Sequence, residues 1–110
     1  EGKMPPKLSL LPVETLQIAA DCLKVVGHPT RLRIVDMLTQ GEYSVTELAE
    51  ACEIKHAHAC EHLRLMRGHG LLKSERRGSS VYYKVAAPEL PGLLDCIRSS
   101  CRVSGRRGTR

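Results

Sequence analysis

The sequence predicts a mainly α-helical fold with a small β-hairpin: a winged helix-turn-helix of five helices and a two-stranded wing, assembled as a dimer. Three observations between Ser44 and Tyr83 predict it, namely a short capped helix, a second helix with a polar outer face, and a hairpin with a basic tip. Two helices ahead of this stretch and one behind it complete the set.

Leu16, Ala19, Ala20 and Leu23 recur at helical spacing and place a first helix over about Val13 to Val26. Gly27-His28-Pro29 ends it, and the proline opens the next helix. That second helix runs to about Gln40, with Gly41 as its stop. Leu32, Ile34, Val35, Met37 and Leu38 surround most of its circumference, the pattern of a central helix, and leave the remaining exposure to Arg31, Arg33 and Asp36. Ser44 followed three residues later by Glu47 is a capping box, so a third helix begins at Val45. Val45, Leu48, Ala49 and Cys52 form its apolar stripe, which places Cys52 in the core and Glu47 and Glu50 in water.

After a turn at Glu53 to His56, the fourth helix covers roughly Ala57 to Arg67. Ala59, Leu63 and Met66 make its buried face; at about 100° per residue, Ala57, His58, Glu61 and Arg64 then point outward as candidates for contact with a DNA groove. Gly68 and Gly70 stop the helix. Next come Leu71 to Arg76, a turn at Arg77-Gly78-Ser79-Ser80 and the β-favouring run Val81 to Val85, which together read as a hairpin. Arg76, Arg77, Ser79 and Ser80 at its tip are suited to donate to phosphate oxygens or to enter a minor groove, and Lys73 and Lys84 add charge on the strands. A last helix begins near Pro88 or Leu90 and carries Leu90, Leu93, Leu94, Ile97 and Cys101 on one stripe.

These elements make one domain over 12–101, with a flexible segment at 1–11 and a basic, Ser/Gly-rich disordered tail at 102–110. The chain has 110 residues, of which 42% are hydrophobic, the balance of a globular protein. A net charge of +5 favours an anionic partner. No stretch approaches the roughly 20 apolar residues that span a bilayer, and no signal peptide is recognisable, so the expectation is a cytoplasmic protein with no membrane partner. The first and last helices carry more apolar surface than so small a domain covers by itself. That surplus predicts a homodimer on double-stranded operator DNA, with two reading helices about 34 Å apart.

Between about Ile18 and Leu94 the chain resembles the ArsR/SmtB metalloregulatory repressors. The likeness is carried by Gly27-His28-Pro29-Thr30-Arg31-Leu32-Arg33-Ile34, by Ser44-Val45-Thr46-Glu47-Leu48-Ala49, by Glu61-His62-Leu63-Arg64-Leu65-Met66-Arg67, by Gly70-Leu71-Leu72, and by Arg77-Gly78-Ser79-Ser80-Val81-Tyr82-Tyr83. It implies a dimeric winged-helix repressor that leaves its operator when a metal, metalloid or thiol-modifying signal reaches its ligands. Two departures stand out: Lys55 occupies the place of a capping Ser, and Cys60 that of a Ser facing DNA. The Cys-x-Cys motif of the family's thiolate sensors is replaced by Tyr43-Ser44-Val45, and the last helix offers Asp95 and Glu89 but no His.

What remains for sensing is thiol chemistry. Five cysteines, Cys22, Cys52, Cys60, Cys96 and Cys101, argue for reduced thiols rather than a disulfide scaffold. Cys96 and Cys101 diverge by about 140° on an ideal helix and converge on one ion only if the helix frays near Ser99-Ser100. Cys22 lies about 110° off the stripe of its helix and Cys96 about as far off its own, so the two face each other if the first and last helices pack together. Two or three such thiolates suit As(III), Cd(II) or Cu(I), and two suit a reversible disulfide or sulfane-sulfur bridge. The competing reading makes them small buried hydrophobes. Cys60, with His56, His58 and His62, is a weaker ligand cluster because it sits on the groove-facing helix. His62 is expected to hold that helix by hydrogen bonds to its neighbours.

DNA binding itself is expected to need no cofactor. The sequence holds no nucleophile-base set, phosphate loop or open metal site of the kind an enzyme requires, so a regulator is expected rather than an enzyme. The alternatives are a small thiol oxidoreductase or metal carrier built on Cys96 and Cys101, and a winged helix used for protein contacts alone.

Overall fold

The computed structural model describes residues 8–101. The expected tail at 102–110, and residues 1–7 of the expected flexible segment, lie outside the described residues; residues 8–11 are exposed and without regular structure. The elements follow as α1 (Val13–Val26), α2 (Pro29–Leu38), β1 (Tyr43–Ser44), α3 (Val45–Cys52), α4 (His56–Gly68), β2 (Leu72–Arg77), β3 (Ser80–Val85) and α5 (Leu90–Ser100). The predicted helices and hairpin are therefore present, with α2 ending two residues early and α4 gaining one residue at each end.

Local chemistry sets the boundaries. His28 caps α2 by accepting the Thr30 amide on its ring Nδ1 at 3.1 Å, with Pro29 as the first helical residue. The capping box of α3 is formed in both directions: the Glu47 amide donates to Ser44 Oγ at 3.1 Å, and the Ser44 amide donates to Glu47 Oε1 at 2.8 Å. Glu53, with φ 56, then takes the left-handed position that ends α3, and the Ile54 amide reaches back to the Ala49 carbonyl at 3.1 Å. Gly70, with φ 75, closes α4 in the same way, the Leu71 amide donating to the Met66 carbonyl at 3.0 Å. In the hairpin Arg77 stands opposite Ser80, leaving Gly78 and Ser79 as a two-residue loop, and Gly78 supplies the positive φ of 62 that a II′ turn needs at its first central residue.

The wing is more than the predicted hairpin. Tyr43 and Ser44 add a short third strand, antiparallel to β3, giving the sheet order β1-β3-β2 with Tyr43 opposite Tyr83. Two residues are too few to display the period-2 alternation that identifies a strand.

Ile34, Val35, Leu48, Leu63, Met66 and Leu72 are the largest fully buried side chains, so the core lies where α2, α3, α4 and the base of the wing meet. Each such burial contributes roughly 1.5–3 kcal/mol. The expectation that α2 is apolar and buried nearly all round needs correction: Leu32 and Met37 are half-buried and border an open groove shared with Ala51, Leu94 and Ile97. Cys52 is likewise half-buried at the core's edge, where burial pushes its thiol pKa up. Arg98 of α5 donates to Asp36 of α2 at 2.7 Å and holds the last helix on the domain.

Most of α1 stands away from this core. Only Val25 and Val26 are buried, whereas Leu16 is 48% and Leu23 56% exposed.

Candidate nucleic-acid interface

Ala57, His58, Glu61 and Arg64 are all exposed along α4, while Ala59, Leu63 and Met66 are buried against the core, as the helical periodicity requires. Lys55 precedes the helix exposed and without a side-chain cap, since an ammonium has no acceptor for the first helical amides. The wing folds up beside the helix. Between them runs a cleft of about 290 Å³ whose walls include His56, Cys60, Arg64, Arg67, Arg76, Ser79 and Ser80. Three guanidinium groups and two hydroxyls around one cleft make a site for a phosphate backbone, because Arg offers forked donors and Ser turns its hydroxyl to whichever oxygen is present. Lys73 stands directly opposite Lys84 across the hairpin. Like charges in that position repel, and Glu42, 3.7 Å from Lys84 Nζ, balances part of that charge.

Arg67 was missed as a contact candidate by the sequence reading. Arg67 lies one turn after Arg64, so the helical spacing holds the signal; in the structure it also donates to Ser74 of β2 at 3.0 Å and links α4 to the wing.

The two wing arginines differ. Arg76 faces the cleft, whereas Arg77 is held by carboxylates: it forms an ion pair with Glu42, another with Glu75 at 3.0 Å, and lies 4.6 Å above the Tyr82 ring. The hydrogen bond from Arg77 holds the Glu42 carboxyl below the usual carboxylate range, with Lys84 adding a smaller pull. Both carboxylate bonds of Arg77 use Nη2, so Arg77 meets a phosphate only with its remaining donors and with a charge that Glu42 and Glu75 already balance.

Of the thiols, Cys22 is half-buried and lines a cleft of about 510 Å³ between α1 and α5, with Leu23, Val26, Leu71, Leu90 and Leu93. Cys96 and Cys101 are exposed. The helix does not fray between them: α5 continues through Ser100 and the Cys101 amide still donates to the Ile97 carbonyl at 2.8 Å, so within one chain the two thiols diverge. Cys60 Sγ lies 3.6 Å from His56 Nδ1. Among the described residues, no three of His, Cys, Asp or Glu gather as a metal site. His62 is bonded, though not to its helical neighbours; it accepts from Arg31.

A family model described as a helix-turn-helix domain matches residues 26–75. The HTH-type transcriptional regulator NmtR of Mycobacterium tuberculosis is 33% identical over 95 residues, which cover 86% of this chain and 78% of that protein. The chain belongs to the ArsR/SmtB family of transcriptional regulators. The transcriptional repressor PagR of Bacillus anthracis is 32% identical over 84 residues, 76% of this chain and 84% of PagR. Among solved structures, the homodimeric winged helix-turn-helix DNA-binding domain of Mb0332 from Mycobacterium bovis matches with a TM-score of 0.72 at 26% identity, over 86% of this chain and 88% of that one. This ArsR/SmtB regulator is therefore a DNA-binding protein. Among the described residues no helix is long and apolar enough to cross a membrane.

Proposed function

We propose that the protein is a homodimeric transcriptional repressor whose operator affinity is set by its cysteine thiols. The observation that carries the DNA half is the continuous basic cleft between α4 and the wing. Ala57, His58, Glu61 and Arg64 enter the major groove, and Arg76, Ser79 and Ser80 take the flanking phosphates. Lys73 adds long-range attraction, and Arg77 contributes through the donors that Glu42 and Glu75 leave free. The exposed apolar face of α1 supports the dimer, because a stripe with Leu16 and Leu23 about half exposed is what a partner helix covers. The name of PagR supports repression, and the homodimeric neighbour supports two-fold assembly.

Sensing is assigned to Cys22, Cys96 and Cys101, with Cys60 a weaker candidate. Cys22 lies on the α1–α5 cleft and Cys96 and Cys101 on the free surface of α5, so the thiols border the region where a second chain packs. A soft metal or metalloid such as As(III), Cd(II) or Cu(I), or oxidation or persulfidation, then joins thiols there and changes the spacing of the reading helices. The test is selection of a duplex from a random pool by the reduced protein, followed by sizing of the complex. Two chains on a near-palindromic site are expected; absence of duplex binding, or one chain on an asymmetric site, contradicts the proposal.

A further inference from the structure

The Arg31 guanidinium bridges two helices that belong to different jobs. Its Nη1 donates to the Val25 carbonyl at 3.0 Å, in the last turn of α1, and its Nε donates to His62 Nδ1 at 3.1 Å, in the middle of α4. The first bond satisfies one of the carbonyls that the end of α1 leaves without a helical partner. The second crosses from α2 to the helix that also carries His58, Glu61 and Arg64, with His58 one turn before His62 on the same side. His28 completes the arrangement, its ring centre 4.9 Å from that of His62.

The chemistry of the pair fixes its protonation. His62 Nδ1 accepts from Arg31, which leaves the ring hydrogen on Nε2, and His28 Nδ1 accepts from the Thr30 amide. Burial first, then the Arg31 charge and the neighbouring His28, lowers the His62 pKa, with Glu61 pulling the other way and His58 adding to the lowering. A neutral acceptor on a reading helix, held by a cation anchored on α1, is a directional link; a Lys ammonium in the same place has no planar fork with which to serve both acceptors.

We infer that Arg31 is a positioning residue for DNA reading: it sets where α4 lies relative to α1, and so transmits the placement of α1 in the dimer to the helix in the groove. The inference rests on the proposed function, since α1 matters to reading only if α1 builds the dimer. Arg31 need touch no nucleotide; its effect falls on base reading, which depends on helix placement, rather than on phosphate attraction, which follows net charge.

The experiment measures affinity of the full chain for its selected operator and for an unrelated duplex across a salt series, for wild type and for Arg31→Ala, Arg31→Lys, His62→Ala, His62→Asn and the double alanine variant. Arg31→Ala and His62→Ala are each expected to lower operator affinity roughly tenfold, to leave unrelated-duplex affinity and the salt slope unchanged, and to be no worse in combination. Arg31→Lys falls with the alanine variants, while His62→Asn, which offers an amide oxygen near the place of Nδ1, recovers most of the loss. Equal losses on both duplexes, a salt slope shallower by about one phosphate, or additive losses in the double variant overturn the inference. Should Arg31→Ala fail to fold, Arg31→Lys against His62→Asn gives the same decision. Failure of the wild type to bind any duplex refutes the proposed function itself.

Discussion

Arg76 and Arg77 are sequence neighbours with different surroundings: one lines the α4–wing cleft and the other is paired with Glu42 and Glu75. Arg76→Ala is expected to weaken binding to every duplex and to reduce the salt slope by about 0.9, the signature of one lost phosphate contact. Arg77→Ala is expected to change that slope by less, because its charge is already balanced, and to alter stability little, as loss of an exposed ion pair does. Equal slopes for the two variants would show that Glu42 does not restrain Arg77. The pH dependence has a definite sign. Because Arg77 depresses the Glu42 pKa, the pair stabilises the wing at neutral pH, and that stability is lost as pH falls through and below the usual carboxylate range. The charge of this tip is legible in the sequence, but the partner of Arg77 is not, since Glu42 lies 35 residues away. The same holds for His62, whose partner is 31 residues upstream. Ser44 is the opposite case: its bond to Glu47 spans three residues, so the pattern alone reveals it. Ser44→Ala should cost about 1 kcal/mol, seen as a Tm lower by several degrees, with Ser44→Thr close to wild type.

At the scale of elements, helices longer than two turns were legible because apolar residues repeat at helical spacing and Gly, Pro and capping residues mark their ends. Strand β1 was not, being two residues long and defined only by its pairing with β3. The extent of burial was legible in part. The surplus apolar surface of α1 shows in the sequence, but not that the chain covers only the last turn of the helix, which leaves the rest of the stripe to the proposed partner. Leu16→Glu with Leu23→Glu is therefore expected to leave the fold intact, to shift sedimentation from dimer to monomer, and to abolish tight operator binding; a dimeric double variant would place the interface elsewhere. In the wing, Gly78→Ala meets no atom within 4 Å, so its cost is backbone strain at φ 62 of about 1–2 kcal/mol, confined to the hairpin tip. It should weaken DNA binding more than it lowers Tm.

Over the whole molecule, the account joins a reading surface to a sensing surface. The wing and α4 form one side; α1 and α5, with Cys22 and Cys96, lie beside the surface left for a partner; Arg31 and the Arg98–Asp36 pair connect these helices to the central α2. The family was legible because its motifs are local in sequence. The arrangement of the thiols was less so: all five cysteines are free, Cys96 and Cys101 diverge on α5, and joining them across two copies belongs to the proposed function. The most direct test of the central claim is titration of the reduced dimer with its selected operator, with and without As(III), Cd(II), Cu(I) or a polysulfide donor, in wild type and Cys96→Ser. One thiophilic agent is predicted to weaken wild-type binding about 5- to 150-fold, the range of a coupling of about 1–3 kcal/mol, and to leave Cys96→Ser bound. Operator affinity indifferent to every agent, or a Cys96→Ser variant that releases as the wild type does, would contradict it.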